Sequence, residues 1–323
     1  MFRAVAKFDP STLKSKVRSI LGAPSPAAFD STSRRLRSDL DATRMEIGRL
    51  HASRMRDVAA LNDAEFRVFS QFGEDGIIQW LVQRVPIDEQ TFVEFGVGDY
   101  SESNTRLLVE MANWRGLIID GDDAHLQFLV ESGIAWRHTV DARSAFLTAE
   151  NLDATISSAG YEGDVGLVSI DVDGVDYWML DALNAVRPRI LVVEYNSHYG
   201  PHRAVTIPYD PAFERMEAHW SGLYYGVSIA GLARCADRKG YALVGSNSTA
   251  TNAFFVRRDV LGAIPEVAPE QAWRPNRVRQ ARGPDGELTY LSGVREQLSV
   301  FADKPLIDLD DGRETTVGEL FLK

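Results

Sequence analysis

Phe92-Val93-Glu94-Phe95-Gly96-Val97-Gly98-Asp99-Tyr100 reads as a buried strand that runs into a tight turn. Glycines at i and i+2 let the chain turn sharply and let a ligand approach the backbone. The third glycine of a dinucleotide fingerprint is missing. Ser101, Ser103 and Asn104 follow instead, and they suit the cap of a helix. Glu94 precedes the first glycine by two residues. A carboxylate there repels a pyrophosphate and accepts bonds from an amino-acid ammonium, which favours S-adenosylmethionine over NAD. The next strand ends in Asp120, near the spacing at which an acid takes ribose hydroxyls. A third ends at Asp141, where an acid reaches an adenine amino group.

Outward from this stretch, short β-rich runs alternate with helical ones. Strands are predicted at 91–96, 116–120, 135–140, 165–171, 190–194, 241–245 and 253–257. Helices are predicted near 103–113, 124–132, 175–186 and 227–239, the last ending in Lys239-Gly240, a good C-cap. Alternation of this kind means a parallel sheet with helices on both faces. Only residues 246–251 separate the last two strands. They are therefore expected to form a hairpin, with an antiparallel strand at the sheet edge.

The chain has 323 residues, 45% hydrophobic and 25% charged, the composition of an ordinary globular protein. No apolar run approaches the roughly 20 residues that span a bilayer. The single cysteine, Cys235, excludes an internal disulfide and cysteine-ligated metal sites. A net charge of -11 argues against nucleic acid as a partner. The charge is unevenly spread: residues 1–70 carry 13 Lys and Arg against 8 Asp and Glu, and the rest is acidic.

Three parts are expected: an N-terminal helical arm, 1–68; a catalytic domain, 69–259; and an irregular tail, 260–323, packed on the domain or a partner. Residues 1–22 interleave basic and apolar side chains. A basic arm packed on the protein is preferred there over a weak peripheral contact with an anionic membrane surface. Residues 22–28 read as a linker. Residues 33–62 are helical by content, and Leu36, Leu40, Ile47, Leu50 and Leu61 form an a/d-like stripe interrupted by Thr43 and Arg54. Homodimerisation through this region is one expectation, and docking on the body is the other. The basic start has no apolar run of a secretory signal, so a cytoplasmic location is expected.

Several motifs in order resemble the FkbM-type S-adenosylmethionine-dependent methyltransferases. They are Ser70-Gln71-Phe72-Gly73-Glu74-Asp75-Gly76, Phe92 to Gly96, Ser103-Asn104-Thr105, Trp114-x-Gly116-Leu117, Ile170-Asp171-Val172-Asp173-Gly174-x-Asp176 and Pro188 to Glu194. The resemblance covers residues 70–257. It implies a class I methyltransferase fold, a Rossmann-like seven-stranded sheet with helices on both faces, here with an N-terminal helical extension. It also implies O-methyl transfer to a saccharide acceptor. By motif position it makes Glu94, Gly96, Gly98, Asn104, Asp120 and Asp141 cofactor contacts; Gln71 and Glu74 precede the fold core and are expected over the same pocket, and Asp171 is a further candidate contact.

A sugar hydroxyl is too weak an acid to ionise unaided near neutral pH, so a general base or a metal ion is needed. Two neighbouring strand ends carry oxygen-rich groups, Asp171 to Asp176 and Glu194 to His202. Asp171, Glu194 and Asn196 suit Mg²⁺. His198 is the candidate general base, with Asp171 beside it and His202 as the second choice. Trp220, Tyr224 and Tyr225 offer faces for a sugar ring. The rivals are an NAD-dependent sugar oxidoreductase and a non-catalytic module that recruits partners in polysaccharide assembly.

Overall fold

The computed structural model describes residues 26–278 and 281–323. The membrane expectation for residues 1–22 lies outside them, as does most of the 22–28 linker. Among the described residues no helix is long and apolar enough to cross a membrane. The chain divides into two units, residues 1–47 and 48–323.

The described residues of the first unit lie in a helix, Pro26–Ala52, whose last turns belong to the second. Helix was expected as far as residue 62. It stops at Ala52, and two 3₁₀ turns follow, Met55–Asp57 and Leu61–Ala64.

In the second unit, described strands β1 (Thr91–Phe95), β2 (Arg115–Asp120), β3 (Val140–Ser144), β4 (Gly163–Ile170), β5 (Val186–Glu194), β7 (Tyr241–Ser246) and β8 (Asn252–Arg257) form one sheet. A two-residue strand, β6 (Val205–Thr206), belongs to a second sheet. The main order is β3-β2-β1-β4-β5-β8-β7. β1 to β5 pair in parallel, and β8 runs antiparallel to both β5 and β7. With helices between the strands, this is the class I methyltransferase, Rossmann-like fold. One detail differs from expectation. The reversed strand is β8, and it is inserted between β5 and β7, so the edge strand β7 points the same way as β1 to β5.

The strands alternate between two cores. Val93, Phe95, Ile119 and Val168 meet Met179, Leu180 and Leu232 on one side. Phe92, Ile118, Leu167 and Ile190 meet Ile77, Ile78 and Trp80 on the other. Burial on both faces is what a parallel sheet requires. The helix Ile229–Arg238 starts where Ser228 Oγ accepts from Gly231 N at 3.0 Å, and Gly240 follows it at φ +86°.

Three expectations change. The strand placed at 135–140 begins only at Val140. Gly133, at φ +75°, starts a helical turn, Ile134–Arg137, that leaves Trp136 exposed. Helices Glu74–Val82 and Leu152–Ser158 were not foreseen. The tail is also less irregular than its composition suggests: β9 (Pro305–Asp308) pairs with β6 and with β10 (Glu314–Thr316). The buried Phe301, and Tyr224 Oη donating to the Pro305 carbonyl at 2.8 Å, fix the tail to the domain.

The helix Glu74–Val82 crosses the segment before it at Gly76. A Cβ there would stand 1.9 Å from the Ala64 carbonyl oxygen and 2.4 Å from Phe66 N, both backbone atoms. Gly76→Ala is expected to cost roughly 3 kcal/mol, seen as a lower midpoint in urea unfolding at unchanged slope. A variant as stable as the parent would mean that this crossing is misplaced.

Candidate active site

A cleft of about 650 Å³ opens at the carboxyl ends of β1, β2 and β4, the place where open α/β sheets bind ligands. Gly96 forms part of its wall at φ +68°. A Cβ on Gly96 would lie 1.6 Å from the carbonyl oxygen of Asp171, so only glycine lets the end of β1 lie against the end of β4. Gly98, at φ +52°, donates its N–H to Asp120 Oδ2 at 2.8 Å. Asp120 Oδ1 accepts from Asp122 N at 3.0 Å and sits 2.8 Å from His125 Nδ1. That bond, more than the other nearby acids, raises the His125 pKa above its ordinary 6.5. Gly96, Gly98, Asp120, Gln71 and Asp171, all candidate cofactor contacts, line the cleft.

Glu94, Glu74, Asn104 and Asp141 do not line it. Glu94 is buried. Ser103 Oγ donates to it at 2.7 Å and Asn104 N at 2.8 Å, and Thr105 donates through both its N–H and its hydroxyl. Those donors occupy the oxygens that were read as ammonium acceptors. Burial raises the Glu94 pKa while these bonds oppose the rise. Asn104 Nδ2 donates to Ser169 Oγ at 3.0 Å. Glu74 is buried and accepts from Phe72 N, Asn247 Nδ2 and Asn252 Nδ2, which ties the β7–β8 turn to the start of its helix. Asp141 falls inside β3 because that strand starts late, and it accepts from Tyr161 Oη at 3.1 Å. The cleft wall past β3 is Ala145, Phe146 and Leu147. The Phe146 ring is exposed, an aromatic face that the misplaced strand concealed.

At the ends of β4 and β5 three carboxylates converge. Asp171, Asp176 and Glu194 each offer one oxygen within 4.8 Å of the others. Asp171 reaches the cleft, and the other two are buried beside it. Asp176 Oδ1 accepts from Val172 N at 2.9 Å and Oδ2 from Gly174 N at 3.0 Å, which folds the Asp-x-Asp-Gly-x-Asp turn. Burial, and then the charge of Glu194, push the Asp176 pKa up. A third acid therefore stands where Asn196 was expected among the metal ligands.

Asn196 is otherwise engaged. Its Nδ2 donates to the carbonyls of Leu223 and Tyr225, and its Oδ1 accepts from His198 N and faces His198 Nδ1 at 2.8 Å. His198 is 2% exposed, its Nε2 lies 3.1 Å from Gln297 Oε1, and it does not line the cleft. A base must meet the proton it takes, so the structure places His198 as a positioning group for the turn after β5. His202 is exposed beside Glu270, away from the cleft lining. Tyr224 and Tyr225 are buried, the latter beneath the Arg215 guanidinium at 3.5 Å, and Arg215 also pairs with Asp173 at 2.8 Å. Phe213, rather than Trp220, Tyr224 or Tyr225, is the aromatic ring on that side of the cleft.

No protein-family model and no curated protein matches the chain. Among solved structures, the N-terminal domain of EvdMO1 with SAH bound is similar at 17% identity over 66% of this chain and 94% of that one, with a TM-score of 0.37. A methyltransferase from Geobacter sulfurreducens is similar at 12% identity over 79% and 99%, with a TM-score of 0.36.

The His125–Asp120 pair has a definite pH signature. Because the folded pKa of His125 is raised, its contribution to stability is complete below the unfolded value and is lost as pH rises through the folded value. An NMR titration of His125 is expected to show a midpoint above 6.5 that falls in Asp120→Asn. An unshifted midpoint in the parent would break the pair.

Proposed function

We propose that the chain is an S-adenosylmethionine-dependent O-methyltransferase that acts on a saccharide hydroxyl with the help of a divalent cation such as Mg²⁺. The carrying observation is that Asp171 joins two half-sites in one cleft. Its carbonyl lies against Gly96 on the nucleotide side, and its carboxylate belongs to the acidic cluster. The volume is in the range of cofactor and small-ligand sites. The motif resemblance supports the saccharide class of acceptor.

The residues present suit such a cofactor. Asp120 offers carboxylate oxygens to ribose hydroxyls, and Phe146 offers an aromatic face. The glycines bring bare backbone to the cleft. S-adenosylmethionine supplies, when bound, a methyl already activated on a sulfonium, so the protein's work is to orient the acceptor and manage one proton. A divalent cation on Asp171, Asp176 and Glu194 supplies a lowered pKa for an acceptor hydroxyl. Of the three acids only Asp171 lines the cleft, which makes it the group placed to meet the acceptor proton. Val175, Pro211 and Phe213 shape the acceptor side, and the Asp173–Arg215 pair braces the turn between them.

Transfer of labelled methyl from S-adenosylmethionine to a panel of saccharides tests this reading. Chelator is expected to abolish turnover and Mg²⁺ to restore it, and Asp171→Asn to lower kcat by at least about 100-fold. Asp120→Ala is expected to weaken cofactor binding about 10- to 100-fold, the loss of charged hydrogen bonds. Turnover that survives both chelator and Asp171→Ala would remove the cation and Asp171 from the account.

A further inference from the structure

The helix Pro26–Ala52 presents one apolar stripe to solvent. Phe29, Leu36, Leu40, Ile47 and Leu50 are each 50% to 64% exposed. They recur at steps of seven, four, seven and three, the a/d spacing of a coiled coil. At 100° per residue all five fall within an arc of about 80°. Met45 and Ala52, on the opposite side of the same helix, are buried. So long an exposed apolar stripe on one face of a helix calls for a partner.

We infer that this stripe pairs in parallel with the same helix of a second copy of the chain. The flanking charges select that occupant and its direction. With Leu36 and Leu50 at d, and Leu40 and Ile47 at a, Asp39 and Glu46 fall at g and Arg44 and His51 at e. In a parallel pair each g faces the e of the following heptad across the seam. Asp39 then meets the partner's Arg44, and Glu46 meets the partner's His51, twice over by two-fold symmetry. An antiparallel pair sets g against g and e against e, acid against acid and base against base.

The contacts of Asp39 and Arg44 do not block their pairing, while His51 also stacks on Phe66, ring centroids 5.2 Å apart. Asp39 lies 4.0 Å from Arg35 and Arg44 lies 3.7 Å from Asp41 within one helix, loose exposed contacts of little worth. Ser33 and Thr43 are the polar residues between Phe29 and Leu50 in the seam, and Thr43 already donates its hydroxyl to the Asp39 carbonyl at 2.9 Å, so covering it strands no donor.

Sedimentation equilibrium on the full chain tests the inference, with a mass of twice 35.9 kDa expected at micromolar concentration. The double variant Leu36→Glu, Leu40→Glu is expected to raise the dissociation constant at least about 100-fold while the unfolding transition of the domain stays in place. Asp39→Arg is expected to weaken association, and the further change Arg44→Asp to restore it. Leu36→Cys is expected to cross-link to its own copy on mild oxidation, since d meets d only in a parallel pair; the native Cys235 is buried. A monomer at 100 μM, a dimer indifferent to the stripe substitutions, or no cross-link through position 36 would each overturn it. So would a monomer whose stripe drives co-flotation with phosphatidylglycerol vesicles.

Discussion

Glu94 is buried at the end of a central strand, and a carboxylate in that position must find donors or forfeit its charge. It finds them in Ser103, Asn104 and Thr105, the residues that lead into the helix Arg106–Ala112. An acid from β1 thus caps a helix that follows it in sequence, where the free N–H groups and the helix dipole favour negative charge. That clamp closes the segment between Gly96 and Ser103 into a fixed loop. The loop brings the Gly98 N–H to Asp120 and the end of β1 against Asp171.

The opposite end of the sheet is held by charge of another kind. Arg189 and Arg257 share Asp164, at 2.5 Å and 2.6 Å, and Arg257 also reaches Asp259 at 2.7 Å. This network pairs its charges fully. The cluster at the cleft does the reverse, bringing Asp171, Asp176 and Glu194 together. Like charges gathered in a buried place are costly, and they occur where function requires them. The proposed cation site rests on this contrast between the two ends, apart from any motif.

Much of this was legible in the sequence. Alternating apolar strands, the hairpin spacing and the Gly-x-Gly turn gave the sheet, and strand-end position gave Gly96, Gly98, Asp120 and Asp171. What failed did so for local reasons. Ile134, Ala135 and Trp136 look like a strand, yet Gly133 in the left-handed region turns them into a helix, so β3 starts late and Asp141 moves inside it. Sequence order also cannot show which carboxylates are consumed by backbone donors. Glu94 and Glu74 looked like ligand groups and serve as clamps. Asn196 and His198 satisfy each other, while Asp176, which the sequence shows only as the last acid of its motif, both folds its turn and joins the cluster. The small sheet that anchors the tail pairs segments about a hundred residues apart through two-residue β6, too short for any periodic signal.

The central claim is that the cleft closed by Gly96 against Asp171 takes S-adenosylmethionine and its demethylated product rather than a dinucleotide. Calorimetric titration of the intact chain with S-adenosylhomocysteine and, separately, with NAD tests it most directly. The account predicts saturable one-to-one binding of S-adenosylhomocysteine, with no heat from NAD at the same concentrations. Binding of NAD alone, or of neither, would contradict it.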